Sequence, residues 1–300
     1  MRALFCLLAL LLLPSFPCAR ESYSKTGTTG FAFLKFFPDA RSAALGGVGV
    51  ALEDGFSNPA ALSGEPRWSF TYGDYLMDIR LGEAGVAYPL GNRMSLGLRL
   101  FHLSYGELTE IDRGGNVEGT FRAGDFSLYM TAAGKFGWGL SLGMGLRAIY
   151  SYIRDYTADA YALDFGLLWR APWGRTSVAL ALVNMGFVRK GYRDHRDALP
   201  AAVKAGFSHL LAHLPVVLVG EVVLPNDNLP YISGGGEAHI GRALTFRLGY
   251  DGRAARDLEG QYGGLSAGFG VVIRRVRLDY AYTLFGELGE VHRVSVGGRL

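Results

Sequence analysis

The chain has only two cysteines in 300 residues, and no apolar run after the first twenty nears the roughly 18–20 residues a membrane-spanning helix requires. The first scarcity excludes a disulfide framework and a cysteine metal site. Cys6 falls in an apolar leader, so the processed chain keeps one thiol at most, Cys18. The second excludes a helical membrane protein. Proline is sparse, at 11 residues, which separates the abundant glycine from disordered or collagenous compositions. Basic residues form no block of the kind that tracks a phosphate backbone, and the net charge is +3, so nucleic acid is not an expected partner.

Glycine (43 residues) and the pair Phe and Tyr (18 and 16) are what the chain has in quantity. With 49% hydrophobic residues, it must hide its apolar side chains in alternation if it has no apolar helix. Arg2 followed by the apolar stretch 3–13, broken by Pro14 and Pro17, has the pattern of a secretory leader over residues 1–20. Residues 21–62 are rich in small residues and weakly periodic. From about residue 63 to 300 a period of two dominates.

The alternation is clearest in 275–284, where Val276, Leu278, Tyr280, Tyr282 and Leu284 share one face and Arg277, Asp279, Ala281 and Thr283 the other. In 138–152 Leu140, Leu142, Met144 and Leu146 oppose Ser141, Gly143, Gly145, Arg147 and Ser151, with Ile149 the exception on the second face. The best segments match the roughly 9–11 residues that a tilted strand needs to cross a bilayer. About fourteen can be counted, separated by turn signals such as Gly91-Asn92, Pro172-Trp173-Gly174 and Pro225-Asn226-Asp227-Asn228. A sheet with one face in lipid cannot leave an edge open there. The expected fold is therefore all-β: a closed antiparallel transmembrane β-barrel of about fourteen strands, in contact with the lipid of a bacterial outer membrane. Aromatics near segment ends, Tyr75, Tyr88, Trp138, Tyr152, Trp169, Trp173 and Phe285, are placed as interfacial girdles would be.

Arg147, Asp164, Arg247, Arg277 and Asp279 stand on the polar side of their strands and are expected to face the lumen. There they should pair with each other or with the N-terminal segment, because an unpaired charge away from water is costly. His209 and His213 are four apart, but no glutamate follows the first, and ordinary strand-end histidines explain them. Gly46-Gly47-Val48-Gly49 lacks the lysine and helix of a phosphate loop and reads as a tight turn. Asn226-Asp227-Asn228 suits a turn as well as a weak Ca²⁺ site. No catalytic residue, metal site or cofactor is expected.

Several stretches resemble the PorV/PorQ family of outer-membrane barrels, relatives of the FadL fatty-acid transporters, and the PorQ-like branch in particular. They are Phe33-Leu34, the run Ala40-Arg41-Ser42-Ala43-Ala44-Leu45-Gly46-Gly47, Asn58-Pro59-Ala60, Tyr105-Gly106-Glu107 with Gly119-Thr120-Phe121, and Leu199-Pro200 with Gly206-Phe207-Ser208. The resemblance implies a fourteen-stranded barrel whose N-terminal segment, 21–62, folds into the lumen as a hatch carrying Arg41, Gly46, Gly47, Asn58, Pro59 and Ala60. It also implies a non-enzymatic scaffold linked to type IX secretion, with secretion-system or surface-attachment proteins as partners of the loops around 106–121, 154–159, 186–198 and 251–261. The alternative is a FadL-like channel for a hydrophobic ligand such as a fatty acid. That reading expects an apolar pocket beside the hatch and a wall opening made by a strand kink, for which Gly234-Gly235-Gly236 is the candidate.

Overall fold

The computed structural model describes residues 27–37, 39–52, 57–62, 65–193, 196–258 and 262–300. The expected leader, 1–20, lies outside the described residues. Fourteen strands follow one another: β1 Arg67–Asp74, β2 Arg80–Leu90, β3 Met94–Ile111, β4 Val117–Lys135 and β5 Leu140–Ile153. Next come β6 Tyr156–Arg170, β7 Thr176–Lys190, β8 Ala202–Leu210, β9 Val216–Pro225 and β10 Tyr231–Ile240. β11 Leu244–Asp251, β12 Leu265–Ile273, β13 Val276–Leu284 and β14 Glu290–Arg299 complete the set. Each pairs antiparallel with its sequence neighbours, and β1 pairs with β14, so the barrel closes without an edge.

The two faces of the wall differ as the alternation requires. Leu96, Leu98 and Leu100 in β3, Leu142, Met144 and Leu146 in β5, and Phe246, Leu248 and Tyr250 in β11 are exposed on the outside. Their neighbours Ser95, Arg99, Ser141, Thr245 and Arg247 are buried inside. An apolar belt of this extent is untenable in water and is what the hydrocarbon core of a bilayer accepts. Trp138, Trp173 and Tyr88 are exposed close to the short turns, at one rim of that belt. Tyr75 behaves differently from the expected girdle. It turns toward Phe36 (ring centroids 4.8 Å) and Phe285 (5.4 Å) and helps close the opposite end.

The chain segment before β1 lies inside the barrel. Asp39 caps the short helix Ala40–Ala44 by accepting from the Ser42 amide at 2.8 Å, and Ala40 N donates to Ser295 Oγ on the wall at 2.9 Å. Gly46 and Gly47 follow with φ of 72° and 81°, a left-handed turn that residues with a side chain resist. A Cβ at Gly46 would strike the Tyr250 backbone, and one at Gly47 the Phe37 ring. The glycine-rich inner face is thereby explained. Gly143 and Gly166 leave room for Asn58, Pro59 and Ala60, and Gly249 leaves room for Leu45 and Gly46.

Two expectations about the wall change. β3 and β4 run on as a long hairpin, so the expected loop 106–121 shrinks to 112–116, and the expected loop 154–159 to the turn 154–155. A long hairpin with its own cross-strand pairs needs no bilayer to keep its hydrogen bonds, and the short turns that separate segments do not mark where a strand leaves the membrane. β10 pairs with both neighbours in unbroken register through Gly234, Gly235 and Gly236, so the expected kink is absent there. Register shifts occur instead in β3, between Ser104 and Glu107, and in β7, opposite Leu163 to Phe165. Glycine alone permits a bulge but does not require one.

Candidate functional site

Toward the end of the barrel opposite the short turns, the inner face changes character. Leu81, Phe101, Leu103, Ile149, Ala160, Ala162 and Val188 point inward and bury themselves against Phe33, with Phe31, Leu34 and Phe36 at the margin. Phe33 stacks on Phe101 with ring planes 5° apart and centroids at 5.8 Å. Ile149, which breaks the alternation of its strand, belongs to this cluster. An apolar lining of this kind discards water at no hydrogen-bonding cost.

Beside the cluster lies a cavity of about 110 Å³. Phe33, Phe36, Phe37, Phe101, Val183 and Val223 form its apolar side, and Lys35, Arg99, Arg147, Asp164, Lys204 and Asp227 lie around its polar side. Those polar groups are mostly fixed by partners. Asp227 takes hydrogen bonds from Lys35 and Thr29. Lys204 Nζ lies 3.3 Å from Glu221, whose other oxygen accepts from the Gly49 and Val50 amides at 3.0 Å each. The Asn226-Asp227-Asn228 turn is thus engaged by the lumen segment. Among the described residues no group of three or more His, Cys, Asp or Glu side chains could hold a metal ion. His209 shares a 2.8 Å hydrogen bond with Thr176 on the neighbouring strand.

Beside this cavity β7 runs on past the end of its pairing with β8. β7 pairs with β8 only as far as Val183 and Ala202, while its pairing with β6 continues to Lys190. Asn184, with φ of 57°, occupies the bulge; its amide donates to Asp164 at 2.6 Å and its side chain to Pro200 O at 3.2 Å. The expected loop 186–198 is therefore partly strand. Leu199 and Pro200, beyond it, are buried next to the cavity.

The residues singled out from the sequence fall into two groups in space. Arg41 reaches Glu237 with two hydrogen bonds, 2.7 and 2.8 Å. Arg247 links Glu237 (2.6 Å) to Asp279 (2.7 Å), and Arg277 meets the other oxygen of Asp279 at 2.5 Å. On another part of the wall Arg147 donates to Asp164 at 3.1 Å and lies 4.1 Å over the Tyr129 ring. Asn58 donates to Val50 O (3.0 Å) and Leu167 O (3.2 Å) and accepts from Ala60 N (2.9 Å), with Pro59 and Ala60 in the 3-10 turn that follows. Sequence reasoning passed over Glu237, the hub of the first group, and the buried pair Arg99–Glu83 at 3.1 Å. Both carboxylates sit at inner positions of period-two strands, a signal that was present but masked by the glycines around them.

No protein-family model matches the sequence, and no curated protein does. Solved structures do match. A structure described as the CymD monoaromatic hydrocarbon channel superposes with a TM-score of 0.64 at 14% identity, over 88% of this chain and 97% of that one. The Pseudomonas putida toluene transporter TodX gives 0.59 at 12%, over 85% and 95%. A Pseudomonas aeruginosa FadL homologue gives 0.56 at 12%, over 92% and 97%. Identities this low establish the shared fold: a closed, fourteen-stranded antiparallel β-barrel of the bacterial outer membrane. They also overturn the resemblance to the PorV/PorQ family and the secretion-scaffold reading built on it. Among the barrels that match are FadL-type and hydrocarbon channels. The motif stretches that carried the resemblance are short and rich in glycine and alanine. Such residues recur wherever a segment must pack closely against an inner barrel face, so they do not distinguish one barrel family from another.

Proposed function

We propose that this protein is a non-enzymatic channel that admits compact hydrophobic molecules across the outer membrane, with residues 21–62 acting as a hatch that shapes the pocket. The observation that carries the reading is the apolar cluster of Phe33 and Phe101 beside a cavity within the lumen. A sealed scaffold has no use for such a pocket, whereas a cavity of about 150 Å³ lined by apolar side chains takes up benzene. The fold shared with barrels described as monoaromatic hydrocarbon channels supports the same class of ligand. On this reading the ion pairs of Arg41 and Glu237 and the hydrogen bonds of Asn58 anchor the hatch.

The test is a soak of crystals of the full chain with iodobenzene. An anomalous peak in the cavity beside Phe33 and Phe101, absent in crystals of Ala202→Phe, whose ring would fill the cavity that Ala202 lines, is the expected outcome. Iodine found only in the detergent belt would remove the basis for the proposal.

A further inference from the structure

The two ends of the barrel differ in charge. At one end short turns join β2 to β3, β4 to β5, β6 to β7, β8 to β9, β10 to β11 and β12 to β13, and none of them contains an aspartate or glutamate. All but the β8–β9 turn hold or adjoin exposed cations: Arg93, Lys135, Arg175, Arg242 and the pair Arg274-Arg275. Among the described residues none of these side chains meets a carboxylate, and Arg175 donates to the Leu211 carbonyl at 3.3 Å. At the other end Asp78, Asp112, Asp155, Asp197, Asp257 and Glu287 stand in the connections. Arginines there find carboxylates: Arg154 meets Glu110 and Asp155, and Arg189 meets Asp159.

Tryptophan follows the same asymmetry. All four, Trp68, Trp138, Trp169 and Trp173, lie at the short-turn end. Trp138 is 95% exposed in its turn and Trp173 is 64% exposed. Trp169 meets Trp173 edge-on, and Trp68 leans on Phe70 of the outer wall. An indole that the protein leaves uncovered is at home in the headgroup region of a bilayer, where its ring is buried and its N–H stays wet. Cations spaced around the perimeter at that level are within reach of headgroup phosphates. Left unpaired, they repel one another, and an external anion relieves that repulsion.

We propose that this rim is a lipid-recognition surface, whose cations and tryptophans gather anionic glycerophospholipids from the periplasm-facing leaflet as a shell around the barrel. The short turns of an outer-membrane barrel face the periplasm, which sets the leaflet. The placement favours lipid over a protein partner. The cations are spread over turns all round the circumference, at the edge of the apolar belt, whereas a globular partner would meet one sector. A guanidinium holds a phosphate through two charge-assisted hydrogen bonds. In a zwitterionic headgroup an ammonium competes for that phosphate; in an anionic one nothing does. The inference goes beyond the channel reading and does not depend on it.

The test uses the full chain in phosphatidylcholine vesicles containing phosphatidylglycerol, with bromine on the acyl chains of one lipid or the other. Because every tryptophan lies at this rim, quenching of the intrinsic fluorescence reports the lipid found there. Phosphatidylglycerol should associate about fivefold more strongly than phosphatidylcholine. The preference should vanish in about 1 M salt, where charges are screened within about 3 Å. The combined replacement Arg93→Gln, Lys135→Gln, Arg175→Gln and Arg242→Gln should abolish it. Arg113→Gln, Arg122→Gln, Arg154→Gln and Arg189→Gln together remove as many charges from the opposite rim and should leave it intact. Heat-modifiable gel migration checks that both variants fold, and the salt dependence of the wild type needs no variant. Equal association of the two lipids with wild type, or a preference that survives the short-turn replacements, overturns the proposal. A preference lost equally in both variants overturns it as well, since net charge and not the rim would then select the lipid.

Discussion

At the scale of single residues, the lumen is an assembly of small spaces and paired charges. Asn58 shows the first. Its amide satisfies three backbone groups, and Gly166 opposite it has no side chain because the amide oxygen occupies that volume. Replacing Asn58 by Ala strands buried backbone groups, and should lower stability by about 1–3 kcal/mol, seen as a lower temperature for the folded-to-unfolded gel shift. An unchanged transition would mean that Asn58 does not hold the segment in place. Glu237 shows the second. It serves Arg41 and Arg247 at once, so Glu237→Ala leaves one buried and one partly buried guanidinium short of a partner and should cost about 3–5 kcal/mol. Arg41→Ala should cost less, because Glu237 then keeps Arg247. Thermal unfolding of the two variants in the reverse order would contradict this hub arrangement.

Among elements, the strands were far more legible than the site. Period-two alternation identifies strands directly, and Arg247, Arg277 and Asp279 stand on the polar side of theirs. That Arg41 joins them through Glu237 depends on which residue of β10 lies opposite which of β11, and the register pairing Glu237 with Arg247 is a property of the closed sheet. Alternation in one strand carries no record of its neighbour. The apolar cluster was hidden for a related reason. Phe101, Leu103 and Ile149 are inner residues that look like outer ones, so the simple rule of polar inside and apolar outside fails where the lumen itself is apolar. Ile149 was the visible trace of that failure. The bulge in β7 was equally silent, since Asn184 is an ordinary residue in sequence and takes its left-handed conformation through hydrogen bonds to Asp164 and Pro200. Asn184→Val should therefore disturb β7, because a β-branched side chain resists positive φ. Asn184→Gly should be better tolerated, and hydrogen exchange of the β6–β7 amides distinguishes the two. Equal exchange in both variants would argue against a strained bulge.

For the whole molecule, the wall separates two solvents. Leu146 faces outward and is exposed; its neighbour Arg147 faces inward and is paired. Leu146→Arg should cost about 2–4 kcal/mol near the bilayer midplane, read as the loss of folded barrel after reconstitution into lipid vesicles. A variant that folds as well as wild type would place Leu146 away from lipid. The lumen in turn holds a cavity that is apolar on the side of Phe33 and Phe101 and charged on the other. The most direct measurement is the initial rate of radiolabelled toluene uptake, at low concentration, by cells lacking the protein, cells producing it, and cells producing Ala202→Phe. If the barrel is a channel for compact hydrophobic molecules, uptake rises with the wild-type protein and returns to the background rate with the filled cavity. Equal rates in all three, with folded barrel present in the outer membrane, would contradict it.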